Sequence, residues 1–233
     1  MVTRENPRQD IEDAIACGDL HHLLLLNGML HGHYCPGSAM GVKAAARAVC
    51  DLGVASKGME DVVAIVETNS CFSDGVQMVT GCTFGNNALI YRDYGKTAVT
   101  LARRSGDAVR VAARADRQPL DRYPEATALF RKVVRERRGT PEDDARLRQL
   151  WIDVAFDMLD LPDEELFTIS RTGIEVPAYA RMFGSVTCSI CGESIMEPRA
   201  RMKDSNSVCI PCSRQEYYQL GGDGIGIVSE RMD

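Results

Sequence analysis

The sequence has no uninterrupted apolar stretch long enough to span a bilayer. Its opening residues, MVTRENPRQDIEDAI, are charged and lack the apolar segment of a secretory leader. Both absences lead us to expect a cytoplasmic protein. There is no GxGxxG turn, no P-loop, and no pterin, flavin or nucleotide fingerprint, so the common cofactor-binding motifs are excluded. Positive charge is also in short supply: 27 Lys and Arg stand against 33 Asp and Glu, a net charge of −6. Such a chain has no global attraction to phosphate backbones and would need a local basic patch to bind nucleic acid. RKVVRERR, from Arg131 to Arg138, is the obvious candidate for one. Glu136 interrupts it and no aromatic residues interleave, so it reads as a solvated helix face, and a nucleic-acid partner is not expected.

What is present is ordinary for a globular protein: 233 residues, 45% hydrophobic and 26% charged, with a single Trp. That length allows one large domain or two smaller ones. Residues 9–30 read as helix, with a Leu23–Leu26 run that should be largely buried. SAMGVKAAARAVCDLG reads as a second helix, with Pro36 in its first turn and Gly53 closing it. Gly41, Ala45 and Ala48 fall on one side of that helix, which implies a neighbour at close range.

Val62–Val66 is a continuous apolar run rich in β-branched residues, the pattern of a strand covered on both faces. A turn and a short helix follow in ETNSCFSDGVQMVTGC. NALIYRDYGKTAVTLARRSGDAVRVAARAD then gives three segments split at Tyr94-Gly95 and Ser105-Gly106-Asp107, which predicts an antiparallel meander. Two more helices are expected, one from Pro124 to Arg138 and one opened by Thr140-Pro141, with LFTIS as a further strand. The fold class is therefore α+β, with N-terminal helices packed on an antiparallel or mixed sheet over residues 1–184. A small C-terminal module occupies 185–233.

That module carries the strongest motif. Nine cysteines are present, and four of them form two CxxC pairs, Cys188/Cys191 and Cys209/Cys212. Each pair makes a knuckle with two thiolates on one side, and two knuckles complete the tetrahedral four-sulfur shell of a structural zinc. The spacing suits a zinc ribbon of treble-clef-like form. Two redox dithiols are the competing reading, but no thioredoxin-like βαβ pattern precedes either pair. The module holds five Lys or Arg against seven Asp or Glu, so it is expected to meet protein rather than phosphate.

HGHYCPG, from His31 to Gly37, is the second motif. A residue before proline avoids the α region, so Cys35 should be extended. Were the whole segment extended, His31, His33 and Cys35 would point to one side. Cys35 also precedes a helix whose N-terminal N–H groups favour an anion, which should acidify its thiol. A metal site or an activated thiol at Cys35 follows, with a core thiol and hydrogen-bonded histidines as the competing reading. Cys71 and Cys82 lie in turn-rich segments around one short helix and are further candidates, while Asp74, Gln77 and Lys96 add polar reach.

HGHYCPGSAMG, ETNSCFSDGVQMVTGCTFGNNALIYRDYGKTA and SVTCSICGESIMEPR…CIPC, in this order and spacing, resemble the FmdE family of formylmethanofuran dehydrogenase subunits over about residues 11–215. The resemblance implies an α+β domain built around the HxHxCPG and GCT segments, a C-terminal zinc ribbon similar to that of TraR-type regulators, and metal in both parts. His31, His33 and Cys35 match the first motif, Cys71, Asp74 and Gln77 the second, Cys82 and Thr83 the third, and Lys96 the DYGK turn. Asn86-Asn87 departs from the Gly or Lys common there, which puts the pocket rim in question.

The family takes its name from association with a molybdenum or tungsten enzyme that reduces CO₂ onto methanofuran, in which FmdE is not the catalytic component. The first expectation is accordingly a metal-binding accessory protein beside such an oxidoreductase, with structural zinc, a second metal in the His31/His33/Cys35/Cys71/Cys82 pocket, and a homodimer as a further partner arrangement. An enzyme using Cys35 or its metal on a small substrate, and a zinc-ribbon transcription regulator, are the alternatives.

Overall fold

The computed structural model describes residues 5–55, 58, 60–117 and 119–229. The MVTR start and the last four residues, which entered the charge reading above, lie outside them. The chain divides into two compact units, Met1–Pro177 and Ala178–Asp233.

The first unit opens with two helices where the sequence suggested one. α1 (Gln9–Cys17) ends at Gly18 in the left-handed region, and Asp19 restarts the chain by accepting the His22 N–H at 2.8 Å at the head of α2 (Leu20–His31). Leu23 and Leu24 are fully buried, but Leu25 is 47% exposed. Four consecutive residues turn through most of a helix circumference, so one of them must face outward. α3 (Pro36–Leu52) begins at proline and stops at Gly53, as expected.

β1 (Val62–Val66) is buried along its whole length. α4 (Cys71–Thr80) follows, then β2 (Leu89–Tyr91), β3 (Ala98–Arg103) and β4 (Asp107–Ala113). Beyond these come α5 (Pro124–Phe130), which runs on as a π turn over Arg131–Arg135, then α6 (Pro141–Asp160), α7 (Asp163–Leu166) and β5 (Phe167–Gly173). A capping box between Thr140 and Asp143 starts α6.

The sheet order is β2-β1-β3-β4-β5, and only β1 and β2 are parallel. The expected meander is therefore displaced by one strand. It consists of β3, β4 and β5, while β2 returns through α4 to the far edge of β1. β1 is thereby an interior strand, with β2 on one edge and β3 on the other.

α3 shares one core with the sheet, in which Val42, Ala45 and Ala48 join Val99, Leu101 and Val109. Against α4 the packing is backbone to backbone. A Cβ on Gly41 would lie 2.1 Å from the Phe72 carbonyl oxygen, and one on Gly75 would lie 2.5 Å from the Val42 nitrogen. This is the close neighbour implied by the small-residue side of α3.

The second unit is built from hairpins. β6 (Ser185–Thr187) pairs with β7 (Ser194–Met196), and β8 (Arg201–Lys203) pairs with β9 (Asn206–Val208). The short α8 (Ile210–Ser213) and the hairpin of β10 (Tyr217–Gly221) with β11 (Gly224–Val228) follow. Its buried apolar cluster is Cys188, Ile195, Val208 and Cys209, two of them cysteines. A core this small does not fold without a cross-link or a metal.

Candidate metal centre

His31, His33, Cys35 and Cys71 come together in the first unit, with one donor atom from each lying within 4.8 Å of the others. They converge by a route other than the extended segment expected. His31 is the last residue of α2, and Gly32 then takes φ +82, where a side chain would be strained, and turns the chain back. Only Cys35 adopts the anticipated extended conformation, φ −152 and ψ 160, as the N-cap of α3. The Gly41–Gly75 contact holds α4 against α3, so Cys71, at the head of α4, meets the head of α3. A Cβ on Gly37 would lie 3.2 Å from that of Cys71.

The His31 and His33 rings stack at 4.2 Å between centroids. His31 Nε2 lies 3.8 Å from Cys35 Sγ, while its Nδ1 meets Asp74 Oδ2 at 2.7 Å. The carboxylate is the acceptor, so Nδ1 carries a proton; Nε2 faces the sulfur, shares a proton with it in the metal-free site, and offers its lone pair to a cation once that proton is displaced. Gln77 Nε2 donates to the other Asp74 oxygen at 3.0 Å and fixes that carboxylate. This carboxylate–histidine pairing commonly backs a metal-bound imidazole.

Burial disfavours the charged form of His31, yet hydrogen bonds to Asp74 and Cys35 outweigh it and raise its pKa. The Cys35 thiol is drawn well below the ordinary thiol range. A hydrogen bond from Cys71 contributes most, then the Ser38 N–H, whose nitrogen is 3.4 Å from Sγ, the Ser38 hydroxyl and His31, all against the effect of burial. The Cys71 thiol is raised in turn by the same hydrogen bond to Cys35. The pair therefore holds one thiolate at neutral pH, centred on Cys35, and a bound cation would draw the second proton from Cys71.

Two imidazoles and two thiols suit a borderline-soft ion. The 4.8 Å limit accommodates a tetrahedral shell, in which donors stand roughly 3.3–3.8 Å apart.

Cys82 does not join this group. Its side chain is fully buried and donates to the Val62 carbonyl at 3.4 Å, and burial pushes its thiol up to about 11. It sits as a core thiol under β1. Asn86 ties its own loop by accepting the Thr83 N–H at 2.9 Å and donating to the Gly81 carbonyl at 2.8 Å. Thr83, Asn86 and Lys96 are absent from the wall of the neighbouring cavity.

That cavity, of about 1010 Å³, opens beside the four-donor group, with His33, Cys35 and Cys71 in its wall. Sequence reasoning missed the other wall, which includes Phe130, Arg131 and Arg135 with Arg148 and Trp151 of α6. The available signal was the single Trp of the chain, thirteen residues after the end of the RKVVRERR run.

In the second unit the donors of Cys188, Cys191, Cys209 and Cys212 also lie within 4.8 Å of one another, with Cys191 and Cys209 sulfurs 3.9 Å apart. Each knuckle is braced by N–H···S bonds. The Cys209 N–H points to Cys188 Sγ at 3.3 Å and the Cys212 N–H to Cys209 Sγ at 3.4 Å. Backbone N–H groups, that of Cys191 foremost, lower the Cys188 thiol. Four closed sulfur ligands fit a structural zinc.

A family model described as "FmdE, Molybdenum formylmethanofuran dehydrogenase operon" matches residues 30–168, more than half of the chain. The chain belongs to the FmdE family. A second family, the prokaryotic DksA/TraR C4-type zinc finger, matches residues 181–218 and supports zinc at the four cysteines. The FmdE-like chain is 39% identical over 219 residues to a "Probable S-adenosyl-L-methionine-binding protein" of Archaeoglobus fulgidus, covering 92% of its own length and 58% of that relative's. Among solved structures it is similar to an FmdE-like protein of the tungsten formylmethanofuran dehydrogenase type from Syntrophus aciditrophicus. There the TM-score is 0.52 at 23% identity, over 83% of this chain and 91% of the other, which establishes a shared fold. Among the described residues no helix is long and apolar enough to cross a membrane.

Proposed function

We propose that this FmdE-like chain carries one transition-metal ion on His31, His33, Cys35 and Cys71, beside a cavity that admits a small molecule, and serves a molybdenum or tungsten oxidoreductase as an accessory protein. The observation that carries this reading is the convergence of two thiols and two imidazoles, one of them backed by Asp74, with three of the four in the wall of a 1010 Å³ cavity. The association with a redox enzyme is supported by the family's description and by the tungsten enzyme for which the Syntrophus protein is named.

Within this site Asp74 holds a His31 proton on Nδ1, the Ser38 N–H points to the Cys35 sulfur and favours its anionic form, and His33, as the exposed donor, borders the cavity. With His33 giving way or a fifth ligand admitted, a bound ion of the zinc class would supply Lewis acidity to a ligand entering from the cavity side. An enzyme acting on a small substrate is the second reading, favoured by the exposure of this centre to so large a cavity. The name of the Archaeoglobus relative adds S-adenosylmethionine to the ligands worth titrating.

Metal content of the full-length chain tests the proposal. Two ions per chain are expected, and Cys35→Ser or His33→Ala should each remove one while leaving the other in place. A single ion per chain, unaffected by either substitution, would refute the reading, as would loss of fold in place of loss of metal.

A further inference from the structure

The cavity has two unlike walls. One is the metal centre and the head of α3; the other comes from α5, its π turn and α6. The second wall carries three guanidinium groups, Arg131, Arg135 and Arg148, against one lining carboxylate, Asp121. In a chain of net charge −6, that concentration of positive charge runs against the composition.

The arginines are also incompletely neutralised. Arg131 reaches Glu136 only at 3.7 Å. Arg148 pairs with Asp144 at 2.5 Å, both largely exposed, so water and other anions compete for it. Arg135 has no carboxylate partner among the described residues and lies over the Phe130 ring at 5.8 Å. Phe130 and Trp151 in turn lie 5.4 Å apart, their planes tilted by 38°, and give this wall two aromatic faces. The π turn carries Arg131 and Arg135, and π turns within helices are frequent at functional positions.

We propose that this cavity receives a small anion with a planar body. A carboxylate or phosphate group engages the arginine wall, the planar part lies against Phe130 and Trp151, and the remaining end faces the metal centre. Guanidinium groups match both anions through paired N–H donors, which inorganic or purely aliphatic ligands would use without using the aromatic surface. The inference deepens the proposed function by naming the ligand class of the same site.

Trp151 is the only tryptophan of the chain and lines this cavity, so tryptophan emission carries a signal from the cavity wall without interference from a second indole. Phenyl phosphate, benzoate, benzyl alcohol and inorganic phosphate would be titrated into the full-length protein, with metal content measured on the same preparation. Phenyl phosphate and benzoate should change the emission saturably, with benzyl alcohol and inorganic phosphate each at least about tenfold weaker. Arg135→Gln should weaken the two aromatic anions about tenfold or more, and Arg135→Lys by less, with benzyl alcohol unaffected.

Equal binding of benzyl alcohol and benzoate, or of inorganic and phenyl phosphate, would overturn the inference. So would an Arg135→Gln protein that binds the anions as well as wild type. Metal present without anion preference refutes the ligand class and leaves the proposed function standing. Anion preference without metal at the first site does the reverse.

Discussion

Asp74 touches no cation in the proposed arrangement, yet replacing it with asparagine should weaken metal binding at the first site. Its Oδ2 accepts from His31 Nδ1 at 2.7 Å, while Oδ1 accepts from Gln77 at 3.0 Å. Asparagine offers one oxygen and one amide nitrogen, so it cannot accept from both. Either its oxygen faces His31, which keeps a bond without charge assistance while the Gln77 amide is set donor against donor, or its amide nitrogen faces the Nδ1–H and the His31 bond is lost.

A hydrogen bond to a charged group contributes about 1.5–3 kcal/mol, and loss of such partners behind a ligating histidine costs about 10–100-fold in affinity. Those two magnitudes agree, since a factor of ten corresponds to about 1.4 kcal/mol. The assay is competition for cobalt or zinc against a chromophoric chelator at pH 8, with the four-cysteine ion as an internal constant. Cobalt spectra should keep their thiolate bands, because Cys35 and Cys71 remain. Asp74→Asn binding metal as tightly as wild type would refute this orientation of His31. A fall in Tm of several degrees with unchanged affinity would assign Asp74 to packing instead.

Cys188→Ser should release the second-unit zinc and leave its residues open to protease while the first unit stays folded. Metal analysis combined with limited proteolysis reads this, and a protease-resistant, zinc-free second unit would contradict it. Gly41→Ala should lower stability by about 3 kcal/mol or more, because its Cβ would be driven to 2.1 Å from a backbone oxygen that cannot swing aside. It should also reduce first-site metal by displacing Cys71, and thermal unfolding alongside metal content checks both effects. Cys82→Ala should cost about 1 kcal/mol and leave the metal count unchanged, as befits a buried thiol bonded to the Val62 carbonyl. Loss of an ion from that variant would place Cys82 in the centre after all.

Local chemistry accounts for the parts of the fold that were legible in the sequence. Pro36 and Gly53 punctuate α3, the apolar run makes β1, and the paired knuckles bring four sulfurs together. Strand order was less accessible. Leu89–Tyr91 looks like the first arm of a meander because the turn at Tyr94-Gly95 follows it, yet its partner is decided by the unfilled edge of β1, a tertiary demand with no local signal.

At the site, three of the four donors are close together in the sequence and could be found by spacing. Even so, the mechanism of their convergence is a helix end and a left-handed glycine rather than an extended strand. Cys71 and Cys82 flank one helix and look equivalent in sequence. Only the way α4 lies against α3 separates the donor from the core thiol. RKVVRERR reads as a solvated face, and its arginines are exposed. What the sequence could not convey is that a cavity opens beneath them.

The contact between Gly41 and Gly75 bears on the cost of loading the first site. Two helices that meet through bare backbone have no rotamers to freeze at their crossing, so the heads of α3 and α4 are positioned before any ion arrives. Little order remains to be imposed on binding, and the free energy of ligation goes almost wholly into affinity. The second unit, with its few buried side chains, stands at the opposite limit, where ligation and folding are one event. One chain would then carry two ions on two clocks: a first-site ion that exchanges on a metal-free scaffold still folded, and a second that leaves only when its own unit comes apart.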